Sequence, residues 1–454
     1  DLGKHIVVQG GTFHNDAVLR AFEQELGRDV TRPTIAGIMG AFGAALAARD
    51  LHLAGSALLS AGALEHFSHS AKPVTCGLCT NHCSLTVNTF DSGRRFISGN
   101  RCSRPLGQEK AELPDLYRYK YEKLRAMEGK GLGNGSRGRI GIPLGLNMYE
   151  NLPFWFELFT RLNFEVVLSP VSSRKLYIKG QRTIPSDTVC YPAKLMHGHI
   201  EALVEAGVDA IFYPCMSYNF DEKSSDNNYN CPVVAYYPEL LAANMPDLKK
   251  TRFLDPYAGL HRPRDYERIG SQWFADTFGI PRKQAVNAIR AAYQAYDLYK
   301  QDIHHTGQRY IDEARAKGLP IIVLAGRPYH IDPEINHGIN DLITSFGFVV
   351  VSEDAVAWLE DYAPRKVLNQ WTFQARMYNA ARYVCEQPDM QLVQLVSFGC
   401  GTDAITGDEV RSILEQGGKL YTQLKIDDIS NLGAVKIRVR SLMAAMEERK
   451  RHDN

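Results

Sequence analysis

Pro320-Ile-Ile-Val-Leu-Ala-Gly-Arg-Pro-Tyr-His-Ile-Asp332 is the stretch whose reading decides the fold. Its apolar half runs without alternation, as a strand buried on both faces of a parallel sheet does, and Gly326-Arg-Pro must leave that sheet in a loop. A helix over 339–346, a second unbroken run Phe348-Val-Val-Val351 and a third, Leu392-Val-Gln-Leu-Val-Ser397, follow at the spacing of βαβ crossovers. The same grammar stands upstream. Arg139-Ile-Gly-Ile-Pro143 and Phe164-Glu-Val-Val-Leu-Ser169 read as strands, with a helix over 150–162 between them whose apolar face includes Phe154, Trp155, Leu158 and Phe159. A helix over 194–206 and strands at 210–213 and 232–236 continue the series. A helical stretch over 266–317 separates the two series, so the expected fold is α/β: two tandem parallel-sheet, doubly wound lobes at 139–318 and 319–454.

Outside these lobes the pattern changes. Residues 4–26 read as a strand, a Gly10-Gly11 turn and a helix from Asn15, and 34–48 as a second helix. So few elements cannot bury a sheet of their own, which makes 1–55 read as the end of a domain that begins earlier. Gly10 and Gly11 permit close approach of a ligand to the backbone, and the helix start behind them offers free N–H groups. Residues 56–128 read as a linker and a Cys-rich module, closed by the Gly-rich linker 129–138.

Composition excludes several functions. The formal net charge is +1, with 52 basic against 51 acidic residues, which leaves no electrostatic footprint for nucleic acid or for a membrane surface. No apolar run is long enough to span a bilayer. Nine cysteines are too few for a disulfide scaffold of this length, so a reducing, cytoplasmic compartment is expected.

The cysteines fall into two sets. Cys190, Cys215, Cys231 and Cys400 each stand beside Pro or Gly at a strand end or helix start, where thiolates from both lobes can converge on a soft metal centre. Open parallel sheets bind ligands beyond the carboxyl ends of their strands. Cys215, Cys400 and the loop Gly326–Asp332 all sit there. Cys190, just before a helix, is expected to have a depressed pKa from the helix dipole. The second set, Cys76-x2-Cys79-x3-Cys83 with Cys102, brackets a hairpin turning at Asp91-Ser-Gly93; four thiolates there suit Zn²⁺ or an Fe–S cluster alike. Arg327, His330 and Asp332 on the strand-end loop are the candidate catalytic residues, Arg327 for an anionic group and the other two as an acid/base pair. His197 and His199 are offset by two on a helix, so at most one can face the thiols. His304-His305 reads as solvated surface.

The segment Val7-Val-Gln-Gly-Gly-Thr-Phe-His-Asn-Asp-Ala-Val-Leu-Arg20 resembles the adenosine-contacting end of the actin/hexokinase-fold ATPases that activate 2-hydroxyacyl-CoA dehydratases and benzoyl-CoA reductases. Asn147-Met-Tyr-Glu-Asn-Leu-Pro-Phe-Trp155, Pro185-Ser-Asp-Thr-Val-Cys-Tyr-Pro192, Gly326-Arg-Pro-Tyr-His330 and Leu424-Lys-Ile-Asp-Asp-Ile-Ser-Asn-Leu-Gly-Ala434 resemble the dehydratase-related module fused behind such ATPases. The resemblance implies iron–sulfur chemistry, with a [4Fe–4S] cluster expected on Cys190, Cys215, Cys231 and Cys400, beside the Zn or second Fe–S site that spacing gives to Cys76, Cys79, Cys83 and Cys102, and low-potential electrons delivered by the ATPase to an activated acyl substrate. It also implies ATP in the intact protein, with Gly10, Gly11 and Asn15 on the adenosine side. The partners it implies are an upstream ATPase domain or activator subunit and a CoA-thioester substrate; an oligomer is compatible with it. The family's phosphate-binding motifs are absent from this chain, so the chain alone is not expected to hydrolyse ATP. Family dehydratase subunits hold their cluster with three cysteines and leave one iron open, whereas four candidates compete here. A non-catalytic zinc- or cluster-stabilised scaffold or electron-transfer module is the alternative reading.

Overall fold

A computed structural model describes residues 3–51, 55, 59–77, 84–91, 93–99, 105, 113–129, 135–361, 368–397, 400–427 and 432–453. The chain divides into two compact units, Asp1–Ser70 with Thr89–Arg94, and Ala71–Asn88 with Arg95–Asn454.

In the first unit the N-terminal strand shrinks to a single parallel bridge between Val7 and Thr31. A 3-10 turn at Gly11–His14 then leads into α1 (Asp16–Leu26), and α2 (Met39–Asp50) and the short α3 (Ala61–Glu65) follow. Neither α1 nor α2 buries a residue, and Val7, Ile38, Phe42 and Leu51 are exposed. Among the described residues of this unit the buried apolar side chains are Val8, Val30 and Ala36.

A small sheet of β1 (His69–Thr75), β2 (Ser84–Phe90) and β3 (Arg95–Ser98) has the order β1-β2-β3. The Asp91–Gly93 turn closes its expected hairpin: the Phe90 amide donates to Arg94 O at 3.0 Å, and Gly93 has φ +75°. Cys76 and Leu85 form a small buried cluster of their own, with Ile97 against them.

The rest of the second unit holds two four-stranded parallel sheets. The first lobe contains β4 (Arg139–Ile142), α5 (Met148–Arg161), β5 (Glu165–Leu168), α6 (Arg174–Gly180), α7 (Tyr191–Glu205), β6 (Ala210–Phe212), α8 (Pro232–Asn244) and β7 (Arg252–Leu254). Helices α9 (Pro263–Phe278) and α10 (Arg282–Ala316) lead to β8 (Ile321–Ala325), α11 (Pro333–Asn336), α12 (Ile339–Ser345), β9 (Val349–Ser352), α13 (Asp354–Ala357), α14 (Thr372–Glu386), β10 (Met390–Val396), α15 (Gly401–Gln416), β11 (Thr422–Lys425) and α16 (Leu432–Asp453). Helix α4 (Leu116–Arg125) lies before both lobes and packs on the second: Tyr117 donates its hydroxyl to Leu324 O at 3.0 Å, and Lys120 pairs with Asp354 at 2.6 Å.

The sheet orders are β5-β4-β6-β7 and β11-β10-β8-β9. Counted within each lobe, both are the order 2-1-3-4, so the two lobes repeat one topology. In the second sheet Val323 lies between Leu392 and Val351, all fully buried, which is why that stretch carries no alternation.

Three expectations need correction. The apolar run at 232–236 is the first turn of α8, because Pro232 sits at the start of the helix, where its fixed φ and missing N–H favour helix over strand. The helical stretch at 266–317 is two helices, broken where Gly279 closes α9 in a left-handed conformation with φ +65° and Pro281 precedes α10. The fourth strand of each sheet, β7 and β11, is a short edge strand of mixed polarity that periodicity does not reveal. Among the described residues no helix is long and apolar enough to cross a membrane.

Candidate functional site

An order of 2-1-3-4 reverses direction between its first and third strands, and crevices form beyond their carboxyl ends at that point. In the second lobe these ends deliver Gly326-Arg327 after β8, and Ser397 and Cys400 after β10. In the first lobe they deliver the segment up to Asn147 after β4 and Tyr213-Pro-Cys-Met216 after β6.

Arg327 is the centre of the second crevice. Its guanidinium is 4% exposed and forms a two-pronged ion pair with Asp403, itself 3% exposed. The same guanidinium reaches Cys400 Sγ at 3.3 Å and Thr402 Oγ1 at 3.2 Å. Asp403 also accepts the Ser397 amide at 2.8 Å, which fixes the end of β10.

Cys190, Cys231 and Cys400 are each the residue that opens a helix: α7, α8 and α15. Cys231 Sγ accepts the Val234 amide at 3.4 Å. Helix dipole and Arg327 favour thiolates here, yet burial outweighs both. The Cys190 thiol is pushed up to about 12, first by burial and further by the neighbouring Cys231 and Cys400 sulfurs, with Arg327 pulling the other way. Cys231 shifts upward for the same leading reason. The depressed pKa expected for Cys190 is therefore corrected: Cys190 and Cys231 are neutral thiols, and with Cys400 and Arg327 they form one electrostatic set.

Cys215 has other neighbours. Its thiol, fully buried, is pushed up to about 12 by burial and then by Glu239 and Asp255, and its backbone bridges to Tyr257. Tyr213, two residues earlier, is within the influence of Cys215, Cys231 and Cys190, and its buried hydroxyl has no partner among the described residues. Among the described residues no three His, Cys, Asp or Glu side chains meet closely enough to hold a single metal ion.

His330 and Asp332 are both fully buried, but they serve different bonds. His330 Nδ1 accepts the Arg327 amide at 3.1 Å, and burial holds the ring neutral, its pKa well below the usual value. Its proton is therefore on Nε2, which is buried with no partner among the described residues. Asp332 accepts the hydroxyls of Tyr149 and Ser172 from the first lobe and the Glu334 amide at 2.8 Å, capping α11. Ser172 continues to His199 Nε2 at 3.0 Å, and His199 Nδ1 meets Ser169 Oγ at 2.7 Å. Asp332 thus ties the two lobes together, and neither His330 nitrogen bonds to it. His197 lies between Thr183 Oγ1 at 2.8 Å and Tyr237 at 3.0 Å, so neither α7 histidine contacts the thiols.

Sequence reasoning gave no role to Asp403, Tyr149 or Ser172. Asp403 had a legible signal, an acid in the first turn of a helix opened by Cys400. Tyr149 and Ser172 had none, since their partner lies more than 150 residues away.

In the first unit Gly10 has φ +98° and donates to Ala36 O at 2.8 Å, Gly11 opens the 3-10 turn, and Asn15 Oδ1 caps α1 by accepting from Ala17 at 3.0 Å. A Cβ at Gly10 or Gly11 would meet nothing within 4 Å. Of the Cys-rich set only Cys76 is described; Cys79, Cys83 and Cys102 lie outside the described residues.

Residues 139–356 match the family described as the CoA enzyme activase uncharacterised domain (DUF2229). The match covers the first lobe and the second as far as α13, including Arg327, Cys190 and Cys231; Cys400 lies beyond it. No curated protein matches the chain.

Proposed function

We propose that the chain is the iron–sulfur redox module of an ATP-dependent 2-hydroxyacyl-CoA dehydratase or reductase system, taking low-potential electrons from an activator ATPase and passing them to a CoA-bound acyl substrate. One observation carries the reading: Cys400 contacts the buried Arg327 at 3.3 Å at the crevice of the second sheet, and Cys190 and Cys231 of the first lobe lie within the influence of the same cation, each of the three opening a helix. The match of residues 139–356 to a CoA-enzyme-activase domain supports an acyl-CoA setting.

A [4Fe–4S] cluster asks for thiolates roughly 6–7 Å apart on its corners, against about 4 Å on a single tetrahedral metal; the support for it here is the chemistry of the donor set, cysteine sulfurs gathered near one buried cation. Three ligands leave one iron open, and the fourth candidate, Cys215, faces Glu239 and Asp255 instead. Three half-buried thiolates in one crevice require compensating charge. Arg327 and the N-termini of α7, α8 and α15 supply it. Because the Cys190 and Cys231 thiols are held neutral, loading them would release protons. A bound cluster would take up and give out single electrons. The protein's own part is to hold that charge in a dry crevice and to present the His330 Nε2–H, buried and unpartnered, as a donor to an acceptor oxygen. In this reading Asp332 positions the lobes and does not move protons. Cys76, Cys79, Cys83 and Cys102 are proposed as a second thiolate site, for Zn or Fe–S.

Anaerobic purification with iron, sulfide and zinc analysis tests the proposal. Ser in place of Cys190, Cys231 or Cys400 removes the iron of this site, while Cys215→Ser retains it. Iron retained in the Cys400→Ser variant, or zinc in place of iron in the wild type, rejects it.

A further inference from the structure

A cavity of about 720 Å³ opens on the second unit among α9, α10, α13, α14 and the loop at 220–224. It shares no residue with the thiol crevice, and its volume lies in the range of small-molecule sites. One stripe of α10 lines it: Tyr293, Tyr296, Asp297, Lys300 and His304, at the helical spacing that puts residues on one face. Aromatic surface faces this stripe. Phe220 stacks on Tyr296 at 4.1 Å between ring centroids, and Trp358, 53% exposed, stacks on His304 at 4.8 Å.

The charges of the wall are almost all spoken for. Arg376 pairs with Glu150 and Glu222, each at 2.5 Å, and Lys300 pairs with Glu222 at 2.9 Å. Arg290 holds Glu267 by two bonds at 3.0 and 2.8 Å. Asp354 pairs with Lys120 at 2.6 Å, Glu360 with Arg382 at 3.3 Å, and Asp221 with Lys223. His304 is neutral, pushed down to about 4, first by burial. Each basic residue of the described wall is therefore ion-paired, and an anionic ligand such as a phosphate finds no free cation, only the unpartnered Nη1 donor of the doubly paired Arg376. One carboxylate is left over: Asp297, exposed at the rim, has neither ion pair nor hydrogen bond among the described residues. Deeper in, the Tyr296 hydroxyl is 97% buried by residue and has no partner among the described residues. An orphaned buried hydroxyl is costly, and a ligand oxygen would relieve it.

We infer that this cavity binds a small protonated organic amine with an aromatic or similarly apolar body and a hydrogen-bond acceptor, its ammonium on Asp297, its body against Phe220, Tyr293 and Trp358, and its acceptor on the Tyr296 hydroxyl. Aromatic faces add to the attraction for a cation. The inference is independent of the cluster reading, since it uses none of the same residues.

Calorimetric titration of the intact chain with three probes tests it: phenethylammonium, phenylalaninamide and 3-phenylpropionate, with tryptophan fluorescence as a second readout. Both amines bind and the carboxylate does not. Asp297→Asn, at an exposed position that leaves the fold intact, weakens both amines about tenfold. Tyr296→Phe weakens phenylalaninamide about fivefold and leaves phenethylammonium unchanged, because only the amide carries the acceptor. Failure of both amines to bind below about 10 mM, equal binding of phenylpropionate, or an unchanged affinity in Asp297→Asn overturns the inference.

Discussion

Arg327→Met removes the cation from a pair in which both side chains are about 4% exposed and leaves the Asp403 carboxylate buried. Breaking a buried pair from one side costs about 3–5 kcal/mol, because the remaining charge is neither solvated nor compensated. Asp403 keeps the Ser397 amide at 2.8 Å, which places the expected loss at the lower end, about 3 kcal/mol. That is a large share of the roughly 5–15 kcal/mol that holds a native protein together. With a urea m-value of about 3 kcal/mol/M the midpoint of the transition reporting the second lobe falls by about 1 M. The partner variant separates charge from shape. In Arg327→Met/Asp403→Asn both charges are gone, the Asn amide oxygen still accepts from Ser397, and most of the lost stability returns, since well-packed replacements of buried pairs are often neutral. If Arg327 also compensates thiolates, the double variant is folded yet poor in iron. A midpoint shift below about 0.3 M for the single variant, or a double variant as unstable as the single, refutes the account of this pair; a stable double variant with full iron refutes the compensating role.

Other consequences are checked separately. Asp332→Ala leaves the Tyr149 and Ser172 hydroxyls and the Glu334 amide without their acceptor and costs about 3 kcal/mol by urea titration, with Asp332→Asn intermediate; wild-type stability in Asp332→Ala would return Asp332 to the list of catalytic candidates. His199 has a folded pKa lowered to about 3, first by burial, so as pH falls from about 6.5 the unfolded state takes up the proton first and stability declines. The expected loss between pH 6.5 and pH 5 is about 2 kcal/mol, and His199→Gln flattens that slope; an unchanged slope contradicts it. For the thiols, the expected discriminator is retention of iron by Cys215→Ser beside its loss from Cys231→Ser.

The architecture was legible wherever burial on both faces removed alternation. β8, β9 and β10 are such runs, and a string of Ile, Val and Leu bounded by Gly and Pro has few other readings. β7 and β11 were not legible, because a three- or four-residue edge strand with Arg, Thr, Gln or Lys in it carries no period to detect. At α8 two opposed local signals met, Val-Val-Ala-Tyr for a strand and Pro232 after Cys231 for a helix start, and the second prevailed once α8 had a sheet to pack on.

For the site, punctuation in one dimension was informative and depth was not. Pro and Gly alone put Cys190 at a helix opening and Cys400 at a strand end, while the helix that Cys231 opens read as a strand; the sign of the Cys190 shift depends on how much protein covers it, and there desolvation exceeds what a helix terminus returns. Cys215 carries the same punctuation and ends beside Glu239 and Asp255, because the first lobe repeats the topology of the second with its own crevice. The repeat has a functional consequence. Two like crevices have diverged in content: one holds Arg327, Asp403 and Cys400, the other Asn147 and Asn151 around the Met216 sulfur, with both Asn Oδ1 atoms unpartnered among the described residues. Charge compensation exists in the first and not in the second. The proposed thiolate-held centre would therefore find its compensating cation beside Arg327, whereas in the crevice of the other lobe Cys215 stands within the influence of two carboxylates, Glu239 and Asp255, which oppose a second thiolate.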